Sequence, residues 1–553
     1  MTNPVLEREL IDILRTRRAF AMQLGVASLF AALILLRWPS DGQADLSGIQ
    51  AEQMFRTFGY GLLLVTILLV PAFPATTLVR ERHQGTLALL LHSPLEPWRI
   101  YGGKLAGVMG FILLPLLMTL PAAMACYAMG GLSLGENLLA LYAVVVLASL
   151  QYAALGLWVG SMARSTDSAL RITYALVFVV TILVLGPYQF LQGQPGELLV
   201  WSSVWLRSVS PIPAVMEIVG QGQAASEGLL SPTGNLARYA LTALVTTAGL
   251  AGHTLWRLNP LLFDQARSSG VMTEERSVGQ RWLRRFLFLI DPQRRTGLIG
   301  PWTNPVLVKE FRSRRFGRST WMVRLIASSA VVSLGLTYTS TTGTMDWGPE
   351  TIGGIMVVLQ GTLILLLIPG LAAGLISSER ETGGWPLLQM TPLTTGQILR
   401  GKLLSVTWTV SLILLATLPG YLVMMAIQPS LSLQIFYVLG CLLSMAVFAV
   451  VFSAAIGSLF RRTAPATVTS YGLLAFFCGG VFLVWLERDS TFDHATTQWL
   501  LALNPMAAAL AVMEVPGFAQ YNLFPLAAWS ISAAITASLL LLTAQTWRLS
   551  RPR

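Results

Sequence analysis

The chain has 553 residues, 54% of them hydrophobic and only 11% charged, with a mean hydropathy of +0.64. Soluble domains carry roughly 25% charged residues, so this composition excludes an ordinary soluble enzyme, and its apolar richness excludes intrinsic disorder. The net charge of +11 would suit a nucleic-acid binder, but in so apolar a chain it reads as positive charge sorted by membrane topology.

In chain order, Asn3-Pro4 opens a helix, because Asn caps free amides and Pro at the first helical position loses no hydrogen bond. Leu6, Leu10, Ile13 and Leu14 fall on one face and Glu7, Arg8, Asp12 and Arg15 on the other. This pattern predicts an interfacial amphipathic helix. The first apolar run, 19–36, is close to spanning length and is read as an anchor rather than a cleaved signal.

A transmembrane helix needs about 20 mostly apolar residues. The first part of the chain offers spans at 19–36, 57–78, 105–128, 138–161, 172–190 and 239–256. The second offers 320–339, 352–377, 403–427, 432–458, 466–486 and 524–546. The expected fold is therefore all-α and polytopic, with twelve transmembrane helices. With both termini, the loops after spans 2, 4, 8 and 10, and the central linker on the cytoplasmic side, only Arg37, Arg56, Arg207, Arg238 and Arg488 of the 37 Lys and Arg lie outside. Reversing the orientation would invert that bias. No role for nucleic acid is left.

The chain also reads as one unit written twice. Thr2-Asn3-Pro4-Val5-Leu6 returns as Thr303-Asn304-Pro305-Val306-Leu307, and Arg8-Glu9 as Lys309-Glu310. Glu81-Arg82, Gly85, Pro94-Leu95 and Gly103-Lys104-Leu105 return as Glu379-Arg380, Gly383, Pro392-Leu393 and Gly401-Lys402-Leu403. Gly160-Ser161, Arg164 and Tyr174 recur as Gly457-Ser458, Arg461 and Tyr471, and Val215-Met216-Glu217 as Val512-Met513-Glu514. The matches are mostly polar, Gly or Pro, so shared membrane composition does not explain them. Residues 1–258 and 303–553 are thus two parallel six-span repeats, joined by a basic linker at 259–302.

The segments 79–103 and 377–401 are longer than a loop between spans requires. In the first, Leu87, Leu89, Leu90 and Leu91 form an apolar turn closed by Ser93-Pro94, a surface suited to docking a protein. The pattern Glu-Arg-x-x-Gly-Thr, then Ser-Pro-Leu, then Gly-Lys-Leu resembles the membrane subunit of ABC-2 type exporters, here with two six-span halves in one chain. That resemblance implies an elbow and coupling helix contacting a separate ATPase, with Glu81, Arg82, Gly85, Pro94 and Lys104 and their counterparts Glu379, Arg380, Gly383, Pro392 and Lys402 as the coupling residues. The helix before span 1 resembles the family's connecting helix, the loops with Arg164 and Arg461 a second cytoplasmic contact, and segments 191–235 and 487–523 a partly re-entrant lid. The second copy departs from the pattern, since Gly384-Trp385-Pro386 follows where the first has Thr86.

The chain is not expected to be an enzyme. Gly396-x-x-x-x-Gly401-Lys402 approaches a phosphate-binding loop, but Leu403 replaces the hydroxyl that would hold magnesium and no strand precedes it. No catalytic, cofactor or metal residues are assigned. His83, His92, His253 and His494 and the buried-type Cys126, Cys441 and Cys478 lack ligand spacing. ATP and magnesium belong to partner ATPase subunits, two copies by the number of loops, with room for accessory membrane subunits. The setting is a plasma membrane, the inner membrane of a bacterium, with both termini cytoplasmic. The function is movement of a substrate by ATP hydrolysed elsewhere. The rivals are an ion-coupled twelve-span transporter, disfavoured because no span carries Asp or Glu, and a scaffold recruiting a cytosolic ATPase. Gln151 and Gln360, at membrane depth, are read as interhelical hydrogen-bond partners. No substrate residues are assigned.

Overall fold

The computed structural model describes residues 4–15, 17–37, 49–163, 165–191, 197–220, 234–258, 304–313, 349–486 and 493–550, and every regular element among them is helical. Two compact units emerge, one of residues 1–267 with 482–493 and the other of 268–481 with 494–553. The first holds α1 (Pro4–Leu14), α2 (Arg17–Arg37), α3 (Ile49–Leu69), α4 (Ala72–Gln84), α5 (Thr86–Leu91), α6 (Pro97–Met118), α7 (Leu120–Ala128), α8 (Ala140–Met162), α9 (Thr166–Thr181), α10 (Gly186–Leu191), α11 (Glu197–Arg207), α12 (Ile212–Ile218) and α13 (Asn235–Arg257). After it come α14 (Pro305–Ser313), α15 (Pro349–Ala372), α16 (Gly374–Glu381), α17 (Gly384–Gln389), α18 (Thr395–Ile427), α19 (Ser432–Leu459), α20 (Thr463–Ala475), α21 (Val481–Leu486), α22 (His494–Leu501), α23 (Pro505–Val512) and α24 (Phe524–Ser550).

Seven of the described helices are long and apolar enough to cross a membrane: Ala51–Arg82, Pro97–Ala128, Leu134–Met162, Ser168–Tyr188, Glu350–Glu381, Pro429–Leu459 and Phe524–Leu549. Two bent pairs raise the number to nine. Twelve spans is therefore more than the described residues support, and the reasons are local. The predicted span 19–36 lies within α2, whose apolar stretch Phe20–Leu35 is short of full spanning length. The predicted 239–256 lies in α13, where threonines, His253 and Arg257 dilute the apolar run. The predicted 466–486 is broken between α20 and α21 by a widened turn at Phe476–Gly480 that ends in two glycines. The predicted 320–339 and the linker 259–302 lie outside the described residues. In the other direction, α11 and α12 form a pair bent by 80° that the sequence reading left inside a lid segment.

Large apolar side chains stand exposed along the outer faces of the helices, among them Leu35, Phe436, Trp529 and Leu540. Water does not tolerate such a surface and lipid does. The protein is a multi-pass membrane protein.

Small residues govern the packing inside each unit. On α8, Ala148, Ser149, Ala153, Ala154, Gly156 and Gly160 are all buried, and α19 repeats the pattern with Ala446, Ala449, Ser453, Ala454 and Gly457. Membrane helices gain their association largely from such close backbone approach. A Cβ on Gly156 would lie 2.6 Å from Pro74 Cγ, and one on Gly160 would lie 3.1 Å from the Ala75 carbonyl oxygen. A Cβ on Gly457 would collide with the Ala373 carbonyl. These glycines let α8 and α19 lie against the ends of the preceding spans, α4 and the start of α16. Tyrosines on the next helices add ties to the earlier spans: Tyr174 of α9 donates to the Leu68 carbonyl of α3 at 2.6 Å and Tyr471 of α20 to the Leu366 carbonyl of α15 at 2.5 Å.

Replacing Gly156 with Leu or Gly457 with Val should each cost about 1–3 kcal/mol through overpacking, read as a lower melting temperature in detergent. Gly440, with open space around its Cβ position, is the control. Gly440→Ala should be neutral or gain up to about 1 kcal/mol of helix propensity.

Candidate functional site

The segment between α4 and α6 begins as a helix with polar residues at its end and stops at Gly85, whose backbone is left-handed at φ 74°. Gly383 does the same at φ 75° before α17. A side chain in that region is strained, so glycine is the residue that lets the chain turn sharply there.

One turn earlier lies the centre of the site. Lys104, on the second turn of α6 and only 1% exposed, places Nζ 2.8 Å from Glu9 Oε1 and 2.9 Å from Glu81 Oε1. Arg8 donates to the same Glu81 oxygen at 3.3 Å from the surface side. One ammonium thus ties together the amphipathic helix α1, the elbow helix α4 and the next span α6. Lys402, also 1% exposed, makes the equivalent set: 2.6 Å to Glu310 Oε1 and 3.1 Å to Glu379 Oε1, with Lys309 at 2.7 Å from Glu379. Each group holds two cations and two anions and is electrically balanced. A charge this deeply buried is tolerated only when paired.

The neighbouring arginines play a different part. Arg82 donates to the carbonyls of Ser161 (2.7 Å) and Ala163 (3.0 Å), and Arg380 to those of Ser458 and Phe460, both at 3.0 Å. These carbonyls end α8 and α19, where the last turn lacks intrahelical partners and the dipole favours a cation. Each elbow is thereby fastened to the end of a span far along the chain. In the second unit Glu381 adds a further tie, accepting from the Thr463 amide at 2.9 Å and its hydroxyl at 2.6 Å.

Of the ten residues expected to act together, Glu81, Lys104, Glu379 and Lys402 meet in the ion groups, Arg82 and Arg380 cap helices, and Gly85 and Gly383 make the turns. Pro94 and Pro392 stand apart, exposed in the turns that follow. Sequence reasoning missed the roles of Glu9 and Glu310, although both repeat beside a basic residue at one offset. The amphipathic helix α1 packs on α6: a Cβ on Gly107 would meet Glu9 Cβ at 2.8 Å, and one on Gly110 would meet Leu10 Cδ2 at 3.0 Å. Gly396 to Lys402 is the opening of the continuous helix α18, not a loop, and the Lys402 ammonium is fully engaged. Arg164 lies outside the described residues, while Arg461 is exposed in the turn before α20.

The apolar turn splits in two. Leu87 and Leu91 are buried with Ile100, Tyr101 and Leu258, while Leu89 points away and is exposed. In α17, Trp385 and Leu388 are buried and Leu387 and Met390 are exposed. The two short helices differ in how they are anchored. Leu258, at the end of α13, holds α5 by apolar packing alone in this cluster. By contrast, Gln389 donates to the Leu549 carbonyl of α24 at 2.6 Å, and Trp385 Nε1 points to the same oxygen at 3.4 Å. Gln151 has the interhelical bonds expected of it, to Thr246 at 3.1 Å and from Tyr239 at 3.4 Å, whereas both amide atoms of Gln360 are buried without a partner.

Lys104→Ala should destabilise the protein by about 3–5 kcal/mol, because it strands Glu9 and Glu81 in a buried setting. Arg8→Ala, which removes a half-exposed partner, should cost less than about 1 kcal/mol. Thermal melts of the two variants in one detergent check the ranking, and equal losses would refute the central place of Lys104.

No curated protein matches the chain. Residues 45–252, which contain Glu81, Arg82, Gly85, Pro94 and Lys104, match the family model described as ABC-2 family transporter protein. With its elbow, its short apolar helix and its membrane helices, this part of the chain is similar to ABC-2 family transporter proteins.

Proposed function

We propose that this chain is the full transmembrane part of an exporter, built from two fused halves, and that separate cytosolic ATPase subunits, two per chain, drive it from the cytoplasmic side. The observation that carries this reading is the ion group at each elbow. A short helix with an outward apolar face, Leu89 in one case and Leu387 with Met390 in the other, follows each elbow and is open to a partner. Behind it, Lys104 or Lys402 clamps the elbow to two further helices, so a push on the short helix moves all three together. A lever that bent at the elbow would waste the stroke; a balanced, buried ion group resists bending. Closure of the ATPase pair would thereby rock each six-span half and change access across the membrane.

The energy source is placed outside the chain. The elbow ion groups are charge-balanced ties, whereas an exchanger would need a carboxylate able to change charge inside a span. Both termini, α5 and α17 are assigned to the cytoplasm by the positive-inside bias.

Two measurements test the proposal. The chain, purified from its own cells, should bring with it an ATPase bearing a phosphate-binding loop, and Leu89→Asp combined with Leu387→Asp should reduce that recovery at least about tenfold, the effect expected of losing an interface anchor. The double substitution Glu81→Gln and Glu379→Gln should leave insertion intact and ATP hydrolysis running while transport falls. Unchanged transport in that variant would exclude the elbow as the lever.

A further inference from the structure

Away from the elbows lies a buried cation that faces an aromatic ring rather than a carboxylate among the described residues. Arg207 ends α11 and is 3% exposed, and neither of its terminal nitrogens has a hydrogen-bond partner among the described residues. Its guanidinium carbon sits 4.2 Å from the centre of the Tyr188 ring on α10. The carboxylate of the same bent pair, Glu217, does not answer the charge: its Oε2 accepts from the backbone amides of Asn235 at 2.8 Å and Leu236 at 3.3 Å.

The second unit shows what this position needs for folding alone. Ser210 follows α11, donates to the Thr181 carbonyl at 2.7 Å and accepts from the Ile212 amide at 3.3 Å. Asn504 follows α22, donates to the Cys478 carbonyl at 2.6 Å and accepts from the Met506 amide at 3.0 Å. The two residues do the same work at the same kind of turn. Three residues before Asn504, where Arg207 precedes Ser210, stands Leu501, fully buried. An apolar side chain therefore satisfies the packing, and the arginine is placed there against a desolvation cost that leucine does not incur.

We propose that Arg207 is the recognition point of an anion site for a phosphate group, either the phosphodiester of a lipid headgroup or a free phosphate. The guanidinium fork presents two parallel N–H donors that match a pair of phosphate oxygens. A phosphate keeps further oxygens free after engaging one fork, so both a phosphodiester and a free phosphate fit that recognition. Arg207 lies in a bent helix pair apolar enough to enter the membrane, a setting where lipid phosphates gather at the ends of spans. In the conformation described, the Tyr188 ring covers the guanidinium, so the anion enters as that ring moves aside. This site does not depend on the coupling reading, and no ATPase is needed to test it.

The test uses the full chain purified in a phosphate-free sugar detergent, melted with added phosphatidylglycerol, with inorganic phosphate, or with chloride at equal ionic strength. One of the two phosphate sources should raise the melting temperature of the wild type by about 3 °C. Stabilisation by the lipid alone identifies a headgroup site, and stabilisation by the salt alone a free anion. Arg207→Leu should abolish the shift while melting no lower than the wild type without ligand, since it copies Leu501. Should that variant fail to fold, Arg207→Gln must also lose the shift. No shift in the wild type, or an equal shift in the variant that folds, would overturn the proposal.

Discussion

Everything at the elbow of each unit depends on one arrangement: a lysine ammonium almost fully withdrawn from solvent and held between two carboxylates from different helices. Lys104 with Glu9 and Glu81, and Lys402 with Glu310 and Glu379, each join three segments of the chain. Apolar packing between helices in lipid is weakly directional, because lipid tails compete for the same surfaces. An ion group is different. Its members lose heavily if they separate, since each would be left as an unpaired charge in a poor solvent. The outer cations Arg8 and Lys309 bring each group to neutrality and remain partly wet, so the deep lysine is shared by two anions without a net buried charge.

Two further constraints keep the elbow in register with the rest of its unit. The glycine faces of α8 and α19 permit backbone contact with the ends of the preceding spans, and any side chain there would push the two apart. Arg82 and Arg380 then bond to the carbonyls that end those same helices. Close approach comes from residues with nothing on Cβ, and direction comes from residues with a long charged arm. The combination makes the elbow part of a rigid block and leaves only the short helix beyond Gly85 or Gly383 to differ. It does differ: α17 is hydrogen-bonded to the end of α24 through Gln389, while α5 rests on Leu258 in an apolar cluster. The replacement of Thr86 by Gly384 with Trp385 is the visible trace of that change.

Much of this was legible before any coordinates. The apolar fraction and the sorting of arginines indicated a helical membrane protein, and the doubled Glu-Arg and Gly-Lys motifs marked the residues that now form the ion groups and caps. The pairing itself was not legible, because Glu9 lies 95 residues from Lys104 and a period count along α1 simply assigns Glu9 to whichever face lacks leucine. Span counting failed for a related reason. A hydropathy window sums composition and is blind to bends, so it passed over the 80° break between α11 and α12 and counted α2 and α13 as full spans. Prolines gave a partial warning: Pro71 begins α4 after a break, and Pro369 precedes the break between α15 and α16, both where the backbone loses a donor.

The repeated pattern is most informative where it lapses. If the shared contacts are what folding requires, then a residue that meets the same backbone environment in both units but differs in chemistry has been released from that requirement. Leu501 and Arg207 are such a pair, set by Asn504 and Ser210 at equivalent turns. Gln151 and Gln360 are not, since they occupy different spans and one is satisfied where the other is not. The distinction separates polar residues that hold the bundle together from those present at a cost to it. By that criterion the elbow lysines belong to the fold, whereas Arg207 carries a desolvation cost that Leu501 does not.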